Sequence, residues 1–233
     1  MSGYFASDEV WTEFEPLWHD ALHTEPAIDY FHMRECFKLE KQFVAFNRHQ
    51  ADRKLNELLD VLLPFLRNSR IREFTSVLDW AVYDRVVSEP VKAALYNPYL
   101  FLLGAIQSEV TKYIYSVGGE PVYFFFDDQF EKLELDAARQ FSRARSVLPA
   151  ELSGLLDGQT FKSDTYCYPL QAADLIAWQR HRKALNLSED LGDRKEFRRI
   201  CGATRAGLLL PYNDEGLADF CRRMDVLARD YPR

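Results

Sequence analysis

Two apolar stretches carry acids where the pattern gives a carboxylate nothing ordinary to do. Asp127 and Asp128 close the run Pro121-Val122-Tyr123-Phe124-Phe125-Phe126, and Asp174 interrupts Leu170-Gln171-Ala172-Ala173-Asp174-Leu175-Ile176-Ala177-Trp178. An unpaired buried carboxylate is expensive, so Asp174 needs a hydrogen-bond partner, a cation or an exposed face. Arg182 or backbone donors would satisfy it; so would a metal ion. Hard divalent cations take oxygen ligands, and Mg²⁺ keeps several waters while using one or two carboxylates. Two such ions about 4 Å apart stabilise the attacking and leaving oxygens of an in-line displacement at phosphorus. Asp127 and Asp174 are therefore the first candidate ligands for Mg²⁺ or Mn²⁺, with Asp128 replacing Asp127 if the strand register differs by one. Gln171 lies three residues before Asp174 on the same helix face and could orient substrate or a metal-bound water. His32 is the candidate proton shuttle and Glu35 a candidate additional ligand. Each has a plainer alternative: a packed, hydrogen-bonded histidine for His32, a solvated face for Glu35, and the N-cap of a following helix for Asp128.

Three other groupings carry weaker signals. His19-Asp20-Ala21-Leu22-His23 places two histidines at i and i+4, as zinc proteases do, but Asp stands where those need Glu, and no third ligand is evident. His32, Cys36 and Cys167 could be joined as a zinc site only with spacings that match no knuckle. Residues 178–205 hold eight basic side chains against four acidic ones, a local +4. That stretch could meet phosphates beside the acidic site, although a mixed solvated surface is the commoner outcome. A glycine-rich phosphate loop, a Ser-His-Asp order and a CxxC pair are all absent from the sequence.

The elements that must position these residues read as follows. Gly3 to Ala6 is strand-like, and Ser7 or Asp8 caps a helix with Trp11, Phe14, Leu17, Trp18 and Leu22 at helical spacing, stopped by Pro26. Ile28 to His32 is extended. A long amphipathic helix runs from about Gln50 to Arg67, with Pro64 bending or ending it. Phe74 to Tyr83 reads as a strand, and Leu95 to Val117 as a helix closed by Gly118-Gly119. The run ending at Phe126 suits a strand buried on both faces, which puts Asp127 and Asp128 at its C-terminal end. Helices follow at about Glu131 to Ser146 and Leu170 to Ala184, with a short strand near Thr160 to Ser163 between them. An apolar piece, Gly207 to Leu210, and a closing helix from about Glu215 to Asp230 complete the chain. Strands alternating with helices predict a layered α/β domain, a mixed sheet flanked by helices, whose ligands gather at the carboxyl ends of the strands.

The chain has 233 residues, 47% hydrophobic and 28% charged, with a formal charge of -7. This composition excludes a disordered chain, a collagen-like repeat and a disulfide scaffold, and predicts a single domain over 1–233. Residues 1–31 hold seven acids and no Lys or Arg, so the remaining residues sum to zero and the acidity is local. No strongly basic field announces nucleic acid, and none is excluded. Four scattered cysteines (Cys36, Cys167, Cys201, Cys221), a start unlike a signal peptide and the lack of a bilayer-length apolar run predict a reduced, cytoplasmic protein without a membrane partner.

The stretch Leu170 to Ala177, LQAADLIA, resembles the signature of the domain-of-unknown-function family numbered 3800, whose members are placed in the ribonuclease H-like superfamily. Trp11-Thr12-Glu13-Phe14 with Trp18 resembles that family's early aromatic helix. Tyr30-Phe31-His32-Met33-Arg34-Glu35 resembles its FH segment with a following acid, and strands ending at Asp84-Arg85 and at Asp127 fall in the expected order. The resemblance covers roughly residues 1–185. It implies a ribonuclease H-like sheet and a divalent-metal-dependent phosphodiesterase or nuclease. Members of the family begin with a strand carrying Asp-Glu-Ser. This chain starts at what resembles the second strand, Ser2 to Ala6, and contains no Asp-Glu-Ser. Either a start lies upstream or the strand is absent, and both leave a sheet edge that predicts poor solubility or a strand donated by a partner. The alternative function is a non-catalytic interaction module of a bacterial defence or mobile-element system, with a protein partner or a second copy of itself.

Overall fold

The computed structural model describes residues 1–89, 91–92, 97–184, 198–200, 203, 207–212, 215 and 217–218. It is a mixed α/β chain. Strand β1 (Ser2–Phe5) leads into α1 (Asp8–His23), then α2 (Met33–Lys38), a 3-10 turn at Lys41–Phe43 and α3 (Arg48–Arg67). Strand β2 (Arg72–Leu78) is followed by α4 (Trp80–Val86) and α5 (Pro98–Val117). Strand β3 (Val122–Asp127), α6 (Glu131–Val147), the single turn α7 (Ala150–Ser153), β4 (Leu156–Lys162), a 3-10 turn at Asp164–Tyr166, α8 (Tyr168–Ala184) and β5 (Gly207–Tyr212) complete it.

The strands form two small sheets rather than one. β1 is antiparallel to β2, which is parallel to β5, and β3 pairs in parallel with β4. Among the described strands β1 lies at one edge of its sheet. The Asp84-Arg85 strand end is corrected: β2 stops at Leu78, and both residues lie in α4. Asp79 explains the break. Its carboxylate accepts from Ala81 and Val82 N–H, an N-cap that turns the chain into helix despite the Val and Tyr that follow. Pro64 does not end α3, which continues to Arg67. The closing helix expected after Glu215 lies almost wholly outside the described residues.

One core holds the first half of the chain against α8. Phe14, Trp18 and Leu22 of α1 meet Leu55, Leu58, Leu59 and Leu62 of α3, Phe31 and Phe43 of the connecting segment, and Ala172, Leu175 and Ile176 of α8. Each of these large side chains contributes about 1.5–3 kcal/mol by leaving water. A second cluster joins Phe74 of β2 to Ile106, Val110 and Ile114 of α5 and to Val122, Phe124 and Leu156 of the other sheet. α5 therefore supports both sheets from below.

The strand pattern of β3 also corrects an expectation. Val122 and Phe124 are buried, whereas Tyr123 and Phe125 are exposed, so β3 is covered on one face and not two. Lys162 of β4 covers part of the open face, its ammonium 4.7 Å from the Phe125 ring centroid.

Candidate functional site

Parallel pairing of β3 and β4 brings two strand ends, and their acids, side by side. Asp127 is the last residue of β3 and is paired with Lys162; Asp164 follows two residues beyond. The Asp164 backbone N–H donates to the Asp127 carboxylate at 3.3 Å. The Asp128 N–H extends the ladder to the Lys162 carbonyl at 3.1 Å, and its side chain is exposed. Asp128 is not the N-cap of α6 either, a place taken by Phe130.

Gln171 fixes the next segment, from the core outward. Its side chain is fully buried. The amide oxygen accepts from Trp18 Nε1 at 3.0 Å and from the Phe31 N–H at 3.2 Å. Its amide nitrogen donates to the carbonyls of Asp164 at 2.9 Å and Thr165 at 3.4 Å. One side chain thus ties α1, the segment before α2 and the turn bearing Asp164 to α8. It is a positioning residue, with its hydrogen-bonding capacity spent inside the protein.

One helical turn on, Asp174 reaches the start of α2. Its Oδ2 accepts from the Met33 N–H at 2.7 Å and stands 3.6 Å from His32 Nδ1. Arg182 is not its partner: that guanidinium lies over the rings of Phe37 and Trp178, at 5.0 and 4.7 Å. Glu35, a candidate ligand whose plainer alternative is a solvated face, is buried at 4% exposure. It accepts from Tyr30 Oη at 3.4 Å and pairs with Lys41 Nζ at 2.9 Å, while its second oxygen is buried without a hydrogen-bond partner. Leu39 and Lys41 both hold positive φ, 57° and 46°, a backbone arrangement costing roughly 1–3 kcal/mol at each residue.

The electrostatics show these acids to be neighbours. Asp174 is pushed up from the usual carboxylate range, first by burial and then by Asp127 and Glu35, against the opposing pull of His32 and the Met33 N–H. Asp164 is pushed up by burial, with Asp174 and Glu35 adding to it and His32 opposing. Burial and Asp164 push up Asp127 in the same way, although its outer side is exposed at the rim. The Tyr99 phenol beneath is pushed up to about 12 by burial and by the carboxylates of Asp127 and Glu134, so it remains a protonated hydroxyl. Four carboxylates from four segments share one corner with His32 and Lys41.

Of the residues expected from the sequence, Asp174 stands beside His32, and Asp127 and Glu35 are near enough to act on Asp174 electrostatically; Asp128 stays at the rim, and Gln171 is buried in the core. Asp164 and Lys41 are additions. Asp164 had a signal, an acid just past a strand end as at Asp127, hidden because β4 is itself polar. The donors suit a hard cation in chemistry: they are oxygens, incompletely neutralised, with one buried oxygen unpartnered. Among the described residues no three His, Cys, Asp or Glu side chains stand close enough to hold one ion together. A site of one or two carboxylates completed by water needs no such trio. The zinc grouping of His32, Cys36 and Cys167 gains nothing: Cys36 is buried against the Ala51 carbonyl, and burial pushes the Cys167 thiol up, away from the thiolate a zinc ion needs. The basic stretch is partly engaged. Arg180 makes a bidentate pair with buried Glu73, at 2.7 and 2.8 Å, and Arg199 pairs with Asp60; residues 185–197 lie outside the described residues.

No family model, curated relative or solved structure matches the chain. Among the described residues no helix is long and apolar enough to cross a membrane.

Proposed function

We propose that the chain is a divalent-metal-dependent phosphodiesterase of ribonuclease H-like architecture, in keeping with its resemblance to the domain-of-unknown-function family numbered 3800. One observation carries the reading. Asp127 and Asp164 lie at and just past the carboxyl ends of two parallel strands and Asp174 on the neighbouring helix α8, and each is pushed up first by burial and further by one of the other two. Such a cluster costs stability unless a cation enters it, and clustered perturbed carboxylates are what a metal-dependent site requires.

One or two of Asp127, Asp164 and Asp174 would hold Mg²⁺ or Mn²⁺, with water completing the coordination and Glu35 in reserve. When bound, the ion supplies charge for the attacking and leaving oxygens at phosphorus. The chain's own groups do the rest. Asp174 faces the Nδ1 side of His32, leaving Nε2 to carry a proton between water and the departing oxygen. Lys41, exposed above Glu35, offers a cation to a substrate phosphate. Gln171 keeps the segments bearing His32, Asp164 and Asp174 in register.

The test is hydrolysis of bis-p-nitrophenyl phosphate and of single- and double-stranded oligonucleotides by the full chain with Mn²⁺ or Mg²⁺. Turnover that disappears in Asp174→Asn and in Asp164→Asn supports the reading; equal turnover in chelator rules it out. The second reading, an interaction module, is favoured by the open face of β3. There Tyr123 and Phe125, each 46% exposed, lie on a sheet that has two strands among the described residues. A stable complex with a protein partner, together with no metal response, would select it.

A further inference from the structure

The histidine pair of α1 takes no part in the acidic corner, and its geometry is that of a second kind of site. His19 and His23 lie one turn apart at the C-terminal end of the helix, both exposed, with ring centroids 4.2 Å apart and planes inclined by 30°. Each ring has its Nδ1 occupied. His23 Nδ1 lies 2.8 Å from the His19 carbonyl oxygen, which can only accept, so this nitrogen carries the proton. His19 Nδ1 lies 3.3 Å from the Asp20 carboxylate, which selects the same tautomer. In the neutral rings the lone pairs are therefore both on Nε2, and among the described residues neither Nε2 has a hydrogen-bond partner. A metal-ligating histidine almost always donates its other ring N–H to a carbonyl or carboxylate, which fixes the tautomer and orients the ring. Both imidazoles already have that support.

The surroundings suit a cation as well. The end of a helix carries partial negative charge on its last carbonyls. Asp20 adds a full charge, and Glu15 stands one turn earlier on the face of His19 and His23. The opposing charge is Lys54, whose ammonium is buried beneath the Ala21, Leu22 and Thr24 carbonyls. The Tyr168 ring, 6.1 Å from that of His19, closes one side.

We propose that His19 and His23 form a two-imidazole site for a borderline divalent transition ion, with the remaining positions left to water or to a ligand from outside the chain. Imidazole ligation follows the order Mn²⁺ < Ni²⁺ < Cu²⁺ > Zn²⁺, whereas Mg²⁺ prefers oxygen. The site is thus distinct in chemistry from the acidic corner. It also lacks what a zinc protease needs, since Asp20 is engaged with His19 and no third side-chain ligand joins the pair among the described residues.

The test is a titration of the full chain with Cu²⁺ and Ni²⁺, read by calorimetry, together with the Cu²⁺ electron paramagnetic resonance spectrum. One Cu²⁺ per chain is expected, with nitrogen hyperfine structure in the spectrum. His19→Gln and His23→Gln should each weaken binding at least tenfold while leaving the metal-free melting temperature within about 2 °C, because both side chains are exposed. Asp174→Asn and His49→Gln should bind as the wild type does. Wild-type affinity in either His19→Gln or His23→Gln, or loss of binding in Asp174→Asn, overturns the proposal. The last outcome would assign the copper to the acidic corner, whose own function is tested separately with Mg²⁺ and Mn²⁺.

Discussion

The buried polar groups of this protein fall into two sets with opposite fates. In the core between α1, α3 and α8, and on β2 beside it, three costly buried groups, Lys54, Gln171 and Glu73, each have counterparts. The fully buried Lys54 ammonium donates to the carbonyls of Ala21 and Thr24 at 2.7 Å and pairs with Glu57 at 3.0 Å, which closes the C-terminal end of α1. Gln171 uses both ends of its amide, and Glu73 meets Arg180 in a fork while also accepting from Thr75. At the acidic corner the balance fails. Among the described residues the basic partners of Asp127, Asp164, Asp174 and Glu35 are His32 and Lys41, with single backbone N–H donors to Asp127 and Asp174, and burial works against three of the four. The buried Lys54 ammonium has three carbonyls, whereas one carboxylate oxygen of Glu35 and the Nδ1 of His32 in this corner are buried without a hydrogen-bond partner. Internal partners account for the first set; the proposed cation would account for the second. A protein tolerates such local instability where function requires it.

The sharpest way to break that contrast is to damage the satisfied set. Gln171→Ala strips partners from buried Trp18 Nε1 and the Phe31 N–H and should cost about 3–5 kcal/mol, read as a lowered denaturation midpoint at unchanged slope. Gln171→Glu, which keeps the accepting oxygen, should lose less. Lys54→Met should follow at about 2–4 kcal/mol, since it leaves three carbonyls and Glu57 without their cation. If either variant melts like the wild type, the core groups do not hold the fold as described.

Substitution in the acidic set should act in the opposite sense. Without metal, Asp164→Asn should raise stability slightly, by less than about 1 kcal/mol after solvent screening. The sign follows from linkage. The folded-state values of Asp127, Asp164 and Asp174 lie above their unfolded ones, so in that window the native state binds more protons, and wild-type stability falls as pH rises through it. The advantage of Asp164→Asn in chelator should therefore be full near neutrality and shrink as pH drops towards the ordinary carboxylate range. An advantage that grows on acidification would show that Asp164 is well compensated. Smallest of all, Phe125→Ser on the open face of β3 should move stability by no more than about 0.5 kcal/mol. A larger loss would mean that the face is covered in solution.

Much of the corner is legible in the sequence, and the physical reason differs from residue to residue. Asp174 stands out because an acid in an apolar helix must be accounted for, and Asp127 because it closes an apolar strand. Asp164 does not stand out: Asp157, Gly158, Gln159 and Thr160 give β4 little apolar pattern, so its end goes unmarked until pairing with β3 shows it. Glu35 looks solvated because a six-residue helix has too little periodicity to reveal which face is buried. The helix α4 was hidden by the Val and Tyr that favour strands, with Asp79 the only local sign against them. Gln171 shows the limit most clearly. Its spacing from Asp174 suggests a shared site, but only the fold, bringing Trp18 and Phe31 to it from more than a hundred residues away, reveals it as the tie beneath that site.

The most direct test of the central claim is thermal unfolding of the full chain in chelator and in saturating Mg²⁺ or Mn²⁺, for the wild type and for Asp174→Asn. An ion held by the native acids alone and supplied at about a hundred times its dissociation constant should raise the wild-type melting temperature by about 5–10 °C. Asp174→Asn should lose most of that rise. A wild type indifferent to either ion, or a rise that survives in Asp174→Asn, would contradict the assignment of this corner as a divalent-cation site.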